Sequence, residues 1–119
     1  MSKKILVVDD EADVRAFLTA VLNKHGFETV TANDGHQALE LIQSQSFDLV
    51  TLDLMMPNKT GTDFYRKVVK DKDLSQIPVI IVSGLPGRHL AVKEPAAVFD
   101  KPIDPDAFIA AVEKALGLD

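Results

Sequence analysis

Short apolar runs of strand length alternate along this chain with longer stretches whose apolar residues recur at helical spacing. Residues 5–8 (Ile-Leu-Val-Val) contain no polar side chain, which is typical of a parallel strand covered by helices on both faces. Residues 13–24 carry apolar positions on one helical face, and Gly26 follows as a predicted helix end. That apolar face comprises Val14, Phe17, Leu18, Val21 and Leu22.

The same alternation continues to the end of the chain. Residues 33–35 (Asn-Asp-Gly) predict a turn and the start of a second helix, and Asp104 followed by Pro105 predicts the start of the last helix. Residues 57–61 are predicted to form a loop. Further strands are predicted at 27–32, 49–54, 79–82 and 97–99, and a third helix at 62–70.

Strand–helix alternation with short connections indicates an α/β domain, a doubly wound (βα)5 fold with a five-stranded parallel sheet between two layers of helices. The stretch 84–96 departs from the pattern because it holds two glycines and two prolines. Pro95 disfavours helix at the residue before it, so that only residues 88–93 are free to form a short fourth helix. We therefore expect a shortened or irregular fourth helix within one domain spanning residues 1–119.

Composition removes several classes of function. The 119 residues include 13 Lys+Arg and 18 Asp+Glu, a formal charge of −5, so the basic surface of a nucleic-acid-binding domain is missing and we expect no direct nucleic-acid binding. The absence of cysteine excludes disulfides, thiolate zinc sites and a cysteine nucleophile. The apolar run behind the basic N-terminus is too short for a signal peptide or a membrane span, so we expect a cytoplasmic protein without membrane contact.

Polar side chains stand at the carboxyl ends of four predicted strands, where doubly wound domains place their functional sites. Asp9 and Asp10 follow the first strand, Asp53 lies near the end of the third, Ser83 ends the fourth, and Lys101 follows the fifth. Carboxylates packed together raise one another's pKa values unless a cation is present. Oxygen ligands without cysteine or histidine favour a hard ion, so the sequence predicts a Mg²⁺ site.

A carboxylate beside Mg²⁺ and a lysine has the parts needed to accept a phosphoryl group. The carboxylate is then the nucleophile, the ion and the ammonium neutralise the transferred oxygens, and the Ser83 hydroxyl can donate a hydrogen bond to them. Singly, each residue has an ordinary structural interpretation: Asp9 and Asp10 can cap the following helix, and Ser83 can form a turn. Asp53 differs, because a charged residue within an apolar strand is unfavourable unless it is paired. The joint placement of the set therefore favours a site.

Together these motifs resemble the receiver domains of two-component response regulators, the chemotaxis-regulator (CheY-like) fold. The resemblance spans essentially the whole chain and rests on residues 5–11 (Ile-Leu-Val-Val-Asp-Asp-Glu), 53–57 (Asp-Leu-Met-Met-Pro), Gly61, Ser83 and 101–102 (Lys-Pro). It implies a flavodoxin/CheY-like sheet with strand order 2-1-3-4-5.

The same resemblance implies roles for single residues. Asp53 would be the phosphoacceptor, Ser83 the switch hydroxyl and Lys101 the lysine that contacts the phosphoryl group. The donor would be a sensor histidine kinase or a phosphotransfer protein, and phosphorylation would switch a protein-interaction surface. The domain would catalyse only its own phosphorylation and dephosphorylation. The implied Mg²⁺ ligands are Asp9, Asp10, Asp53 and the backbone carbonyl of Met55.

The chain departs from the family's pattern in three places. The segment between Ser83 and Lys101 is shorter than usual by about one helical turn. Val98 stands where the family usually has tyrosine or phenylalanine, and Gly84 stands where alanine is usual. The first two departures affect the surface that usually carries the output, formed by the fourth helix, fifth strand and fifth helix. They leave the acceptor chemistry untouched.

Three other functions can be compared with the receiver interpretation, each by a sequence feature that it requires. An aspartyl-phosphate phosphatase or transferase normally has a second aspartate two residues after the nucleophile, where this chain has Met55, and no cap domain fits in 119 residues. A binding domain that has lost phosphorylation would usually lack one of the site residues, and all are present. A nucleotide-binding domain needs a glycine-rich loop after the first strand, which is missing. Without a DNA-binding module, we expect a stand-alone receiver or a receiver from a longer protein such as a hybrid kinase.

Overall fold

The computed structural model describes residues 2–56, 58, 60–83 and 95–118, and of Ser83 the backbone alone. Its strands are β1 (Lys4–Val8), β2 (Glu28–Ala32), β3 (Leu49–Leu52), β4 (Val79–Ser83) and β5 (Ala97–Asp100). The helices of this part of the chain are α1 (Ala12–Lys24), α2 (Gly35–Ser44), α3 (Thr60–Lys70) and α4 (Pro105–Ala115), with a short 3-10 helix at Leu74–Gln76. None of these helices is long and apolar enough to cross a membrane.

All neighbouring strands pair in parallel, in the order β2-β1-β3-β4-β5. The predicted doubly wound sheet with order 2-1-3-4-5 is therefore confirmed. Strand β1 lies between two partners, with Leu6 opposite Val30 of β2 on one side and Val50 of β3 on the other. The order places β1 and β3 side by side, so that their carboxyl ends meet at one edge.

The uninterrupted apolar run of β1 serves two cores because successive side chains of a strand point to opposite faces of the sheet. Leu6 and Val8 belong to the core formed with α2 and α3, whereas Ile5 and Val7 belong to the core formed with α1 and α4. All four side chains are buried. Burial of each such side chain stabilises the fold by about 1.5–3 kcal/mol, so the sheet is held rigidly between its helices.

Two helices begin where the sequence predicts, and each start is capped by an aspartate. At the start of α2, the Asp34 carboxylate accepts a hydrogen bond from the Gln37 backbone N–H at 2.8 Å, and the Gln37 side chain accepts one from the Asn33 N–H at 2.8 Å. At the start of α4, Asp104 accepts from the Asp106 N–H at 3.2 Å. These bonds satisfy backbone donors that a helix start otherwise leaves free.

The structure differs from the sequence-based expectation at three points. Helix α3 begins at Thr60, so Gly61, predicted within a loop at 57–61, is helical. Strand β3 ends at Leu52, so Asp53 follows the strand instead of lying inside it. Phe17, predicted on the apolar face of α1, is 39% exposed because it lines a groove that is open to solvent. The predicted fourth helix at 88–93 lies outside the described residues.

Candidate functional site

The carboxyl edge of the sheet brings Asp9, Asp53 and Lys101 together, each directly after a strand. The first two remain tied to the sheet by their backbones: the Asp9 N–H donates to the Ala32 carbonyl at 3.1 Å, and the Asp53 N–H donates to the Val8 carbonyl at 3.0 Å. Both aspartates are 1% exposed. Charged groups buried to this extent are strongly disfavoured unless they are paired.

The Lys101 ammonium pairs with three carboxylates. Its Nζ lies 2.6 Å from Glu11 Oε1, 3.2 Å from Asp9 Oδ2 and 3.3 Å from Asp53 Oδ2. Burial alone would lower the pKa of Lys101, but the hydrogen bond to Glu11 and the charges of Asp53 and Asp9 outweigh that effect and raise it. The lysine is therefore a fixed positive charge facing the buried carboxylates.

Each buried carboxylate has one oxygen held by the backbone and the other turned toward Lys101. Asp9 Oδ1 accepts from the Glu11 N–H at 2.9 Å, and Asp53 Oδ1 accepts from the Met55 N–H at 2.8 Å. Burial raises the pKa of both carboxyls; these hydrogen bonds and Lys101 oppose the increase, whereas repulsion between neighbouring carboxylates adds to it. The pair thus carries more negative charge than one lysine stabilises.

Four acidic residues at this edge of the sheet have the composition of a site for a hard cation. This acidic group consists of Asp9, Asp10, Glu11 and Asp53. Asp9 Oδ2 is buried and forms no hydrogen bond within the described part of the chain, although Lys101 Nζ lies near it as an ion pair. One carboxylate oxygen from each member of the group lies within 4.8 Å of all the others, and every donor is an oxygen. Mg²⁺ prefers such ligands. The acidic group therefore fits this ion.

The structure thus assembles most of the predicted site. Asp10 is exposed and joins the acidic group, and the Met55 side chain is 46% exposed while its N–H binds Asp53. The role of the Met55 carbonyl stays a prediction. Ser83 ends β4 at the same edge, but its side chain lies outside the description, so its role as switch hydroxyl also stays a prediction.

Two supporting contacts were missed by reasoning from the sequence. Arg15, in the first turns of α1, donates from Nη1 to the Asp9 carbonyl at 2.7 Å and so fixes the peptide that carries the acidic pair. Gly61 packs so closely that a Cβ there would lie 2.3 Å from the Asp53 carbonyl oxygen. The contact of Arg15 could have been found from the sequence, because helix geometry places this residue close to the start of α1. The contact of Gly61 could not, because no local sequence signal indicates it.

A groove of about 510 Å³ opens beside the site, between the start of α1 and the segment that follows β5. Its floor is mainly apolar, and Phe17 contributes a side chain that is 39% exposed. Lys101 and Glu11 form the end of the groove that adjoins the acidic group. The lining residues are Glu11, Asp13, Val14, Phe17, Lys101, Pro102 and Ile103.

Known proteins are similar to this chain in sequence or in structure. The chain is 34% identical over 116 residues to protein Rrf1 of Nitratidesulfovibrio vulgaris, covering 98% of this chain and 84% of that protein. It is 33% identical over 120 residues to sporulation initiation phosphotransferase F of Bacillus subtilis, covering 99% and 97%. The crystal structure of response regulator TrrA of Thermotoga maritima, in complex with Mg²⁺ and BeF, superposes with a TM-score of 0.86 at 30% identity, covering 96% of this chain and 99% of TrrA.

Several other relatives are much longer, and the chain spans only 16% to 36% of their length. The match to the family is independent of these differences in length, because the response regulator receiver domain family matches residues 5–113 of this chain. The chain therefore belongs to the response regulator receiver domains.

Proposed function

We propose that Asp53 accepts a phosphoryl group from a phosphohistidine of a sensor histidine kinase or a phosphotransfer protein, with Mg²⁺ as the required ion. Receiver domains are phosphoacceptors of two-component signalling and take phosphoryl groups from such partners. The geometry of the Asp53 carboxylate carries the assignment to this residue. It is buried, one oxygen is fixed by the Met55 N–H, and the other faces the Lys101 ammonium.

The residues of the chain divide the work of phosphoryl transfer between them. The Asp53 carboxylate attacks phosphorus, the P–O bond forms as the P–N bond to the donor imidazole breaks, and the imidazole nitrogen takes a proton from solvent. Lys101 neutralises charge on the phosphoryl oxygens during transfer. Asp9, Asp10 and Asp53, with the Met55 carbonyl, would hold Mg²⁺, which when bound adds positive charge at the same oxygens.

The hydrolysis that resets the domain belongs to the same proposal. We infer that the domain catalyses only its own phosphorylation and dephosphorylation and acts on no other substrate. The side chain two residues after Asp53 is Met55, which offers no carboxylic acid for the general acid step of a phosphatase acting on other molecules. The phosphatase alternative therefore lacks a necessary group at its expected position.

The donor protein is proposed to dock in the groove beside Lys101. The groove combines an exposed aromatic side chain, Phe17, with apolar neighbours, and one end of it adjoins the acceptor site. A partner seated there can present a phosphohistidine directly to Asp53. We also propose that residues 1–119 form a single receiver domain that works in the cytoplasm without direct contact to nucleic acid or membrane, in keeping with its charge of −5.

A small phosphodonor tests the assignment without a partner protein. Wild-type protein incubated with acetyl phosphate and Mg²⁺ is expected to gain the mass of one phosphoryl group, and chelation of the ion is expected to abolish the gain. Asp53→Asn should gain nothing, whereas Asp63→Asn, which changes an exposed carboxylate in α3, should react like the wild type. Labelling that persists in Asp53→Asn, or a wild type that never reacts, would overturn the proposal.

A further inference from the structure

Three carboxylates surround the Lys101 ammonium: it donates hydrogen bonds to Glu11 and Asp53 and forms an ion pair with Asp9. An ammonium has three N–H groups, and this one faces three carboxylate oxygens, from Glu11, Asp9 and Asp53. The shortest of the three contacts, 2.6 Å, is made with Glu11. When Asp53 is phosphorylated, its own negative charge moves to the phosphoryl group, which can take the place of Asp53 Oδ2 beside Lys101. For a second N–H of Lys101 to reach the phosphoryl oxygens, the ammonium has to separate from Glu11 or from Asp9.

Solvent exposure identifies the partner that is released. The Glu11 side chain is 58% exposed, whereas that of Asp9 is 1% exposed. A carboxylate that separates from a cation in water regains hydration, but a buried one is left uncompensated at a much larger cost in free energy. Separation from Glu11 is therefore the least unfavourable way to free an N–H of Lys101.

We propose that Glu11 is a positioning residue that holds Lys101 in the unphosphorylated domain, and that Lys101 exchanges the Glu11 carboxylate for a phosphoryl oxygen when Asp53 is phosphorylated. The inference rests on the proposed acceptor role of Asp53. Glu11 thereby slows phosphorylation, because its contact with Lys101 is broken on the way to the transition state. Its influence passes through Lys101 and does not depend on contact with the phosphodonor.

Glu11→Gln removes the charge that competes for Lys101 while keeping the size of the side chain. Exposed ion pairs of this kind correspond to a change of about two- to fivefold in an equilibrium or rate constant. We expect Glu11→Gln to be phosphorylated about two- to fivefold faster than the wild type at saturating Mg²⁺. Saturation is required because Glu11 also belongs to the acidic group, so its removal is expected to weaken binding of the ion.

The experiment is a double-mutant cycle on the rate of phosphorylation by phosphoramidate, followed by intact mass. The four proteins are the wild type, Glu11→Gln, Lys101→Met and the double variant, each with Mg²⁺ raised until the rate no longer changes. Glu28→Gln is the matched control, because Glu28 opens β2 at the opposite edge of the sheet and undergoes the same change of charge. We expect acceleration in Glu11→Gln alone, no effect of Glu28→Gln, and equal rates for Lys101→Met and the double variant.

A second measurement separates action through Lys101 from simple repulsion of an anionic donor. Acetyl phosphate carries more negative charge than phosphoramidate, so repulsion by Glu11 would make the acceleration larger with acetyl phosphate. Action through Lys101 predicts the same acceleration with both donors, and this comparison needs no Lys101 variant.

The possible outcomes distinguish this inference from the proposed function. A wild type that is not phosphorylated at Asp53 overturns both. A wild type that reacts while Glu11→Gln reacts no faster overturns only the role of Glu11. Acceleration that persists in the Lys101→Met background, or that depends on the charge of the donor, also overturns it and leaves the acceptor role of Asp53 in place.

Discussion

Gly61 offers a test of how closely the acceptor peptide is held. It lies in the first turn of α3, and a Cβ placed on it would lie 2.3 Å from the Asp53 carbonyl oxygen and 3.2 Å from the Leu54 Cα. Real Cβ atoms essentially never approach another atom within 3.0 Å, so Gly61→Ala has to separate the helix start from the Asp53 peptide by about 0.7 Å, the difference between 3.0 and 2.3 Å. Both sides of this contact are main chain, so no flexible side chain can absorb the displacement.

Two effects of opposite sign determine how much Gly61→Ala changes the free energy of unfolding. Overpacking of a close contact destabilises the fold by about 1–3 kcal/mol. The higher helix propensity of alanine stabilises it by up to about 1 kcal/mol. We expect a net loss of about 1–2 kcal/mol in the free energy of unfolding, which lowers the melting temperature by roughly 4–8 °C. Because displacement of a reacting group by about 1 Å can slow a reaction about a hundredfold, phosphorylation of Asp53 should slow by at least about tenfold.

The assay combines a thermal melt followed by circular dichroism with the rate of phosphorylation by acetyl phosphate at a temperature where every variant is folded. Gly117→Ala is the control, because Gly117 has a φ of +72° and no neighbour within 4 Å of the position that a Cβ would take, so alanine there strains only the end of α4. This variant should lose stability but keep the wild-type rate. Wild-type stability and rate in Gly61→Ala would refute the reasoning.

Three further changes have defined outcomes. Thr51→Val should raise the free energy of unfolding by about 1 kcal/mol in urea titrations, because the buried Thr51 hydroxyl has no hydrogen-bond partner among the described residues; a loss of stability would contradict this. Burial raises the pKa of Asp9 and Asp53, so without metal the folded state binds protons more tightly than the unfolded chain. The free energy of unfolding should therefore fall as pH rises from 3.8 through the raised pKa values, and Asp53→Asn should flatten that fall. Phe17→Ala should slow transfer from a phosphohistidine protein several-fold, in keeping with loss of about 1 kcal/mol of contact, but leave the rate with acetyl phosphate unchanged. Equal slowing with both donors would exclude the groove as the docking place.

The sheet and the central part of the site could be predicted because they follow from local patterns and parallel topology. An apolar run such as residues 5–8 identifies a strand buried on both faces. Parallel strands end at one edge, so side chains that directly follow them, such as Asp9, Asp53 and Lys101, have to meet there. The structure brings these three within ion-pair distance.

The remaining features depend on contacts between distant parts of the chain. A glycine such as Gly61 locally suggests a loop. In the folded protein Gly61 lies within α3, at a position where the Asp53 peptide comes too close to leave room for a side chain. Helical periodicity identified the face of α1 on which Phe17 lies, but it does not show where that face extends past the neighbouring elements. The contact between Lys101 and Glu11 joins side chains 90 residues apart, and their conformations are set by the finished site.

The central claim, that Asp53 is the phosphoacceptor, is tested most directly by trapping the acyl phosphate. Reduction of the phosphorylated protein with borohydride converts a phosphorylated aspartate to homoserine, and mass spectrometry of the resulting peptides locates the converted residue. The account predicts homoserine at position 53, only in samples that received both phosphodonor and Mg²⁺. Homoserine at Asp9 or Asp10, or none in a sample whose intact mass shows a phosphoryl group, would contradict it.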